Sequence, residues 1–448
     1  MTKLKSDFWK NVLTVLAGAT GAQALPLLAA PLLTRMCTPA EMGAFSIWLG
    51  VVAVASIAAT LRFEAVMVLD YERERQRLCF SVVAYFATMT ALVLTLLMAV
   101  AHTLGFPGAR VMSWLEVLTV GAGTWFTAYM HTTQAYAASH NLFGQAAKVK
   151  MLQAGTIAVS QIVLLYMGLD GAALVAGQLI GLGTGLWAAR FLLSPPGARL
   201  RPMLDSEQRS YLIEHQAFWR FSLPSGLLNT LVGQLPLFMV GIHHGALAAG
   251  LFALTQRVIS APTALIAASV LDVFKREAAR EFQSVGNCRN AYRKTFKALL
   301  LLASGPALIL LLFSPELFSW VFGRTWRPAG ELARILAPLS FLNFIASPLS
   351  YVFFVAGKQK VELLWQIALF LMTIAVFTVP LSLHQSLLAY AAGRSVLYVV
   401  YLFMSYRYSQ HERVAASPAR RSGWIPDGPA APREAHADRA HASRTPRN

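Results

Sequence analysis

Charged residues are scarce in this chain. Only 13% of its 448 residues are Asp, Glu, Lys or Arg, whereas 56% are hydrophobic. A soluble domain of ordinary composition carries about 25% charged residues, so this composition excludes an ordinary soluble protein. Acidic residues are the scarcer kind, which leaves a net charge of +17. The basic residues lie in short loops between apolar runs and in the tail, a distribution that indicates the positive-inside rule and argues against nucleic-acid binding.

Cysteine is also rare. The three cysteines, Cys37, Cys79 and Cys288, are far apart in the sequence, and we predict that they lie in different loops. The spacing provides neither a disulfide framework nor a CxxC metal motif, so each thiol is expected to fill apolar space. The sequence contains no Walker A motif, so no ATP site is predicted.

Long apolar runs dominate the remainder of the chain. About 20 apolar residues in a helix cross a hydrocarbon layer about 30 Å thick. The runs predict about twelve transmembrane helices, at about 11–34, 43–62, 79–104, 112–136, 150–168, 171–193, 221–242, 246–273, 297–322, 331–356, 361–381 and 386–407. The first run is too long for a signal peptide and is expected to be retained.

A polar stretch divides these spans into two blocks. We therefore predict an N-terminal six-helix lobe at 1–193, a cytoplasmic linker at 194–220, a C-terminal six-helix lobe at 221–408 and a disordered basic cytoplasmic tail at 409–448. Of the 38 Lys and Arg residues, 31 fall on one side of this topology and 5 on the other. This bias predicts that both termini are cytoplasmic.

Both blocks open with a similar string. QALPL (23–27) precedes Gly43-Ala44-Phe45, and QLPL (234–237) precedes Gly250-Leu251-Phe252. Because six spans separate the two copies, the blocks are expected to be parallel repeats about an axis along the membrane normal, a frame suited to alternating access. Several prolines in the lobe-opening helices permit kinks; they are Pro26, Pro31, Pro224, Pro236 and Pro262.

Two arginines lie deep inside predicted spans. Arg257 lies near the midplane, about 16 Å from its end of the membrane, and Arg394 about 12 Å from the same surface. A charge at such a depth costs several kcal/mol unless it faces protein or water. It therefore indicates either a functional site or a buried ion pair, for which Glu116 is a candidate partner of Arg257. Arg62 closes the second span at its cytoplasmic end.

Four segments together resemble a known family. They are LTRMCTPAEMGAFSIW (33–48), LRFE (61–64), AAGLFALTQRVISAP (248–262) and the run 318–360. Over roughly residues 8–408 the chain is similar to the bacterial polysaccharide flippases often called Wzx, of the MATE-like MOP superfamily. The resemblance implies an all-α, polytopic, V-shaped bundle of two six-helix lobes around a central cavity. It also implies a non-enzymatic carrier that moves undecaprenyl-diphosphate-linked oligosaccharide across the bacterial inner membrane, for O-antigen, capsule or exopolysaccharide synthesis.

Such a substrate has a diphosphate and many hydroxyls, both costly in hydrocarbon. Arginine binds phosphate oxygens bidentately and keeps its charge, so Arg257, Arg394 and Arg62 are the candidate diphosphate ligands. They are not related by the repeat, because Arg62 follows its glycine by 19 residues and Arg257 by 7. Polar neutral residues at bundle depth are the candidate cavity lining, with interhelical hydrogen bonding as the alternative: Gln23, Asn229, Gln234, Gln256, Asn343, His131 and Gln134. Trp125 and Trp365 are candidates for stacking on sugar rings.

No cofactor or metal is expected, although a coupling ion, Na⁺ or H⁺, stays open. The candidate carboxylates for ion coupling are Glu64 and Glu116, with Asp170 and Asp272 as further acids to test. The expected partners are the lipid bilayer and the lipid-linked oligosaccharide, together with a polymerase and a chain-length regulator of the same pathway.

Two other functions remain open at this point. A MATE-like small-molecule or cation antiporter would share the architecture, but it would need acids in its cavity, whereas the two deepest charges are arginines. A membrane polysaccharide polymerase or glycosyltransferase usually carries a sizeable periplasmic loop. The longest candidates here, around 105–110 and 323–330, are short and lack paired carboxylates. The sugar itself is not predicted.

Overall fold

The computed structural model describes residues 21, 25–198 and 203–410, apart from the side chains of 261–266, 268, 269 and 359. Within these ranges the chain forms helices joined by short connections and contains no strand. The predicted all-α membrane fold is confirmed.

The helices follow one another in the order α1 to α15. They are α1 Leu25–Met36, α2 Pro39–Thr60, α3 Phe63–Val66, α4 Arg73–Thr103, α5 Pro107–Arg110, α6 Trp114–Ser139, α7 Phe143–Tyr166, α8 Asp170–Leu192, α9 Ser206–Glu214, α10 Leu223–Val285, α11 Arg289–Phe322, α12 Arg327–Leu349, α13 Tyr351–Val355, α14 Gln359–Thr378 and α15 Leu383–Ser409. A π-helical turn, Phe218–Ser222, leads into α10, and a 3-10 turn, Arg324–Trp326, leads into α12.

Nine segments of the described ranges are long and apolar enough to cross a membrane. Three differences separate this number from the predicted twelve. Most of the predicted first span lies outside the described residues. Helix α6 is 26 residues long but is not among the nine. The spans predicted at 221–242 and 246–273 form one helical run, α10, which continues to Val285.

Gly245 divides α10 between the two spans that the sequence predicts at 221–242 and 246–273. Its backbone has φ 82° and ψ −178°, inside a run that is otherwise helical. Glycine adopts this conformation without the steric cost that a Cβ atom would add. The helix continues past the predicted boundary at 273 and is terminated by Gly286. The φ of Gly286 is 81°, the left-handed conformation common after a helix.

Two predictions about loops are wrong in part. The sequence predicts a charged loop at 70–77, between the second and third spans, but Arg73 to Arg77 form the first turns of α4. A helix that leaves the hydrocarbon can continue in water with polar side chains. Cys79 lies inside the same helix, where it is fully buried and its Sγ donates to the Phe63 carbonyl at 3.4 Å. Only Cys37 and Cys288 lie between helices.

The polar stretch after α8 contains a short amphipathic helix, α9. Its Tyr211 hydroxyl donates to Asp70 Oδ2 at 2.5 Å. Arg75 joins the same contact, with Asp70 Oδ1 at 3.0 Å and Glu214 Oε1 at 2.6 Å. Burial raises the pKa of Tyr211 above its ordinary value, so its hydroxyl stays a hydrogen-bond donor well into the alkaline range. These bonds fix α9 against the beginning of α4.

The two halves of the chain meet along α2 and α10. A methyl group built on Gly43 would lie 2.7 Å from the Gly250 nitrogen, and one built on Gly250 would lie 2.9 Å from the Gly43 nitrogen. These are the glycines of the two repeated strings, so corresponding helices of the two blocks touch backbone to backbone. At the other end of α2, the Arg62 Cδ packs against Gly226.

Candidate functional site

A polar cavity lies among α10, α12, α14 and α15. It consists of two chambers, of about 300 Å³ and about 100 Å³, that share Asn343, Arg394 and Tyr398. Four of the residues chosen from the sequence line it: Asn229, Gln256, Asn343 and Arg394. The cavity therefore collects one predicted diphosphate ligand and three predicted polar neutrals.

Arg394 is the one arginine among the lining residues of these two chambers. Its Nη1 donates to the Tyr390 hydroxyl, and its guanidinium lies 5.4 Å and 5.9 Å from the ring centroids of Tyr390 and Tyr398. No carboxylate of the described residues lies within 4 Å of it. Its Nε is buried and has no hydrogen-bond partner. The guanidinium thus keeps a donor and makes no close ion pair, so it can bind an anion.

The helical register of α15 explains this clustering. Tyr390, Arg394 and Tyr398 are four residues apart, so they lie one above another on the same face of the helix. Arg394 is eleven residues from Leu383, which places it about 16 Å along the helix. The segment YAAGRSVLYVVY (390–401) already showed this spacing, and it could have been read as an arginine between two tyrosines.

Aromatic rings continue from Arg394 across the cavity wall. Trp365 on α14 lies 5.5 Å from Tyr398 and 4.6 Å from Tyr401, measured between ring centroids. Tyr401 then donates to Glu362 Oε2 at 2.7 Å. Trp365 was chosen from the sequence as a candidate for stacking on sugars, whereas Tyr398, Tyr401 and Glu362 were missed.

Glu362 lies in the first turn of α14 and lines the larger chamber. Its Oε1 accepts a 3.3 Å hydrogen bond from Gln366 Nε2. The cavity thus reaches the end of the bundle that carries Lys358 and Lys360. It also contains a carboxylate, but this is Glu362 rather than Glu64 or Glu116, the carboxylates chosen from the sequence.

Arg257 does not line either chamber, although its neighbours Gln256 and Ser260 do. It lies on an adjacent face of α10 and is partly buried. Burial and Glu41 raise the pKa of Cys37 to about 12, while the Arg257 guanidinium acts in the opposite direction. Arg257 therefore lies close to the connection between α1 and α2. Within the described residues no carboxylate lies within 4 Å of it.

Glu116 is not the partner of Arg257. Its Oε2 accepts hydrogen bonds from the Ser113 backbone nitrogen at 2.6 Å and from the Ser113 hydroxyl at 3.0 Å. These contacts form a capping box at the beginning of α6. The carboxylate is buried because it caps its own helix, which accounts for an acid at this depth without an ion site.

Arg62 and Glu64 form a pair at the cytoplasmic end of α2 in the predicted topology. Arg62 Nη1 lies 3.2 Å from Glu64 Oε1. Leu61 and Arg62 both have left-handed backbones, with φ of 49° and 64°, so the chain turns sharply between α2 and α3. Neither residue lines the polar cavity, and the structure does not bring Arg62 together with Arg394.

The other candidates lie elsewhere. Gln234 packs its Oε1 against Gly50 of α2, and Gln23 lies outside the described residues. His131 and Gln134 are partly buried on α6, where Trp125 donates to Thr88 Oγ1 at 3.2 Å. Asp170 begins α8, and Asp272 lies 3.8 Å from Lys275. In the described part of the chain, no group of three or more His, Cys, Asp or Glu residues is arranged to hold a metal ion.

Comparison with known proteins adds a family and a fold. The model of the family described as "Polysaccharide biosynthesis protein" matches residues 32–331. An outward-facing multidrug resistance MATE transporter of the MOP superfamily has a TM-score of 0.57 at 14% identity, over 89% of this chain and 96% of that one. A MOP superfamily transporter from Pyrococcus furiosus, described as having a binding pocket of reversed polarity, has a TM-score of 0.56 at 14% identity, with the same coverage. An inward-facing MATE transporter has a TM-score of 0.54 at 16% identity, over 88% of this chain and 94% of that one. No curated protein matches the chain.

Proposed function

Because the chain belongs to the polysaccharide biosynthesis protein family and has the MATE-like fold of MOP superfamily transporters, we propose that it is a flippase for lipid-linked oligosaccharides. Its substrate is an undecaprenyl-diphosphate-linked repeat unit, which it moves across the bacterial inner membrane by alternating access. The product serves O-antigen, capsule or exopolysaccharide synthesis. Family and fold point to a transporter rather than an enzyme.

The observation that carries this proposal is the environment of Arg394. A guanidinium with a buried, unpartnered Nε and, in the described part of the chain, no carboxylate within 4 Å favours an anionic ligand. Charge-assisted hydrogen bonds from arginine to phosphate oxygens are short and strong. Arg394 is therefore our primary diphosphate ligand, ahead of Arg257, which does not line the cavity, and Arg62, which is paired with Glu64.

The remaining lining suits a sugar chain. Trp365, Tyr398 and Tyr401 offer aromatic faces, and rings of this kind combine apolar contact with a polar edge. Asn229, Asn343 and Gln256 add amide donors and acceptors for hydroxyl groups. The polyprenyl tail stays in the lipid while these groups receive the polar part.

Energy for transport needs no nucleotide in this scheme. A membrane potential that is negative inside favours outward movement of an anion by ~2.3 kcal/mol per charge per 100 mV. We propose both termini in the cytoplasm, so the chamber that extends toward Lys358 and Lys360 receives the substrate from the inner leaflet. Coupling to Na⁺ or H⁺ is an additional hypothesis, for which Glu362 is a better-placed carboxylate than Glu64 or Glu116.

Arg394→Gln tests the proposal. Losing a charge-assisted hydrogen bond to the substrate costs about 1.5–3 kcal/mol, so we expect transport into proteoliposomes to fall roughly 10- to 150-fold. The matched control is Arg334→Gln, because Arg334 is exposed and, among the described residues, bonds only to the Leu312 carbonyl at 3.2 Å. Both variants must be inserted to the wild-type level before rates are compared.

Two results would contradict this assignment. A normal rate in Arg394→Gln removes Arg394 from the transport path. A deletion strain that displays single lipid-linked repeat units on the outer leaflet indicates a polymerase, because loss of a flippase strands those units in the inner leaflet.

A small-molecule or cation antiporter is the second candidate. Glu362 favours it, because this carboxylate lines the same chamber as Arg394 and can hold a cation or a proton. The two functions separate in the proteoliposome assay: an antiporter exports a cationic dye in exchange for ions and ignores lipid-linked oligosaccharide.

A further inference from the structure

Apart from the polar cavity, a groove opens on the outer face of the bundle between α11 and α15. It encloses about 480 Å³, and its walls are Tyr292, Phe296, Leu402, Phe403 and Tyr406, with Arg293 and Lys297 at its edge. It shares no lining residue with the polar cavity. The groove is therefore distinct from the proposed transport cavity.

Three cations form a stripe along this part of α11. Arg289, Arg293 and Lys297 are spaced four residues apart, which puts them on the same face of the helix. Like charges at this spacing destabilise a helix, and no carboxylate of the described residues lies within 4 Å of Arg293 or Lys297. By contrast, Lys294 is 3.2 Å from Glu277. Among the described residues, Arg293 and Lys297 therefore have no paired carboxylate, whereas Lys294 beside them has one.

The structure holds one of these cations in position. Arg293 donates to the Tyr406 hydroxyl from Nη2 at 2.7 Å and from Nε at 3.2 Å. Tyr292 behind it bonds to Ser405 Oγ at 2.8 Å, which fixes α11 against α15. The Arg293 guanidinium is exposed at the groove, yet its hydrogen bonds to Tyr406 orient it. Little side-chain entropy is therefore lost when it binds an anion.

Toward the middle of the bundle the same two helices present apolar side chains to lipid. Leu301 is 80% exposed, Phe403 65% and Val399 55%. Lys297 lies about 12 Å along α11 from its first residue, near the boundary between polar and apolar surface. By the loop-charge bias this end faces the cytoplasmic leaflet.

We propose that this groove binds an anionic phospholipid of the cytoplasmic leaflet. Arg293 and Lys297 hold the headgroup phosphate, and the apolar wall formed by Phe296, Leu402 and Phe403 receives the acyl chain. Basic pockets between transmembrane helices at the cytoplasmic side are suited to such headgroups. The C-terminal tail is not the occupant, because its residues 411–448 contain seven arginines and four acids and share the sign of the stripe.

The test uses the full chain, purified and delipidated in detergent. Phosphatidylglycerol is titrated in and the thermal unfolding temperature is followed, with phosphatidylcholine as the zwitterionic reference. We expect phosphatidylglycerol to raise the unfolding temperature and phosphatidylcholine to leave it nearly unchanged. In the double variant Arg293→Gln/Lys297→Gln the apparent dissociation constant should rise roughly 30-fold, as expected for two basic residues near an anionic lipid surface.

The matched control removes two exposed basic residues from the same end of the bundle, in Arg280→Gln/Lys360→Gln. Neither residue lines the groove, so this variant should keep the wild-type response to phosphatidylglycerol. The proposal is overturned if both double variants lose the response equally, or if the groove variant retains it. It is also overturned if inorganic pyrophosphate alone reproduces the shift, because the acyl chain would then contribute nothing.

Discussion

The contact between the two repeated glycines can be tested by adding one methyl group. In Gly43→Ala, the new Cβ would lie 2.7 Å from the Gly250 nitrogen and 2.8 Å from the Ala246 carbonyl carbon. Both atoms belong to backbone, so no side chain can rotate away. The Ala246 carbonyl oxygen would be closer still, so the helices α2 and α10 must separate by well over about 1 Å to restore ordinary contact at 3.4 Å.

The expected magnitude follows from two opposing effects. Inserting a methyl group into a close-packed contact costs about 1–3 kcal/mol, and a backbone clash belongs at the upper end of that range. Replacing glycine with alanine inside a helix returns about 1 kcal/mol. We therefore expect Gly43→Ala to lower the free energy of unfolding by about 1–2 kcal/mol.

Gly183 provides the control. It lies inside α8, and a methyl group built there meets nothing within 4 Å. Gly183→Ala should therefore leave stability unchanged or raise it by up to about 1 kcal/mol. Thermal unfolding in detergent, followed by tryptophan fluorescence, measures both variants under the same conditions.

The sign of the difference decides the outcome. If Gly43→Ala and Gly183→Ala shift the unfolding temperature in the same direction, the two halves do not touch at these glycines. The double variant Gly43→Ala/Gly250→Ala adds a further check, because both substitutions separate the same pair of helices. Its effect should be smaller than the sum of the two single effects.

Two further predictions concern the connections around α2. Trp326→Phe removes the 2.7 Å hydrogen bond from the buried Nε1 to the Thr34 carbonyl, which should cost about 1–3 kcal/mol in thermal unfolding. Trp320→Phe, at a residue that is 78% exposed, should have little effect, and equal losses would contradict the bond's role. Cys37, whose pKa is raised from 9.0 to about 12 mainly by burial, should react slowly with maleimide at about pH 8, because only the thiolate is a nucleophile. The native state keeps this proton where the unfolded state loses it, so its contribution to stability falls as the pH rises from 9.0 toward about 12. Rapid native labelling in a variant that retains only Cys37 would refute the burial.

The spans of the second block show how far apolar patterning extends. The predicted span at 386–407 corresponds to α15 at Leu383–Ser409, because bilayer thickness imposes a length that composition reveals. The predicted loop at 70–77 is confirmed only for residues 70–72 and is wrong for 73–77, for the same reason. Composition reports where hydrocarbon ends, whereas a helix such as α4 ends where its backbone hydrogen bonds end.

The candidate site was predictable by type and only partly by position. Asn229, Gln256, Asn343 and Arg394 are polar residues at membrane depth, and the structure brings them to one cavity. Arg257 has the same chemistry at a similar depth yet lies outside that cavity. The charge of Arg257 predicts that its side chain needs a polar environment. The orientation of α10 about its axis decides which environment surrounds it.

The sequence by itself determined the membrane class, the approximate helix lengths and the resemblance to its family. These follow from local quantities: apolar run length, loop charge and short strings such as 33–48. Only the tertiary structure decided that Glu116 caps its own helix, that Gly43 meets Gly250, and that Arg394 faces Tyr390 and Tyr398 without a carboxylate. The physical reason is that each side chain projects from one face of its helix. Which neighbour occupies that direction depends on the packing of helices that are distant in sequence.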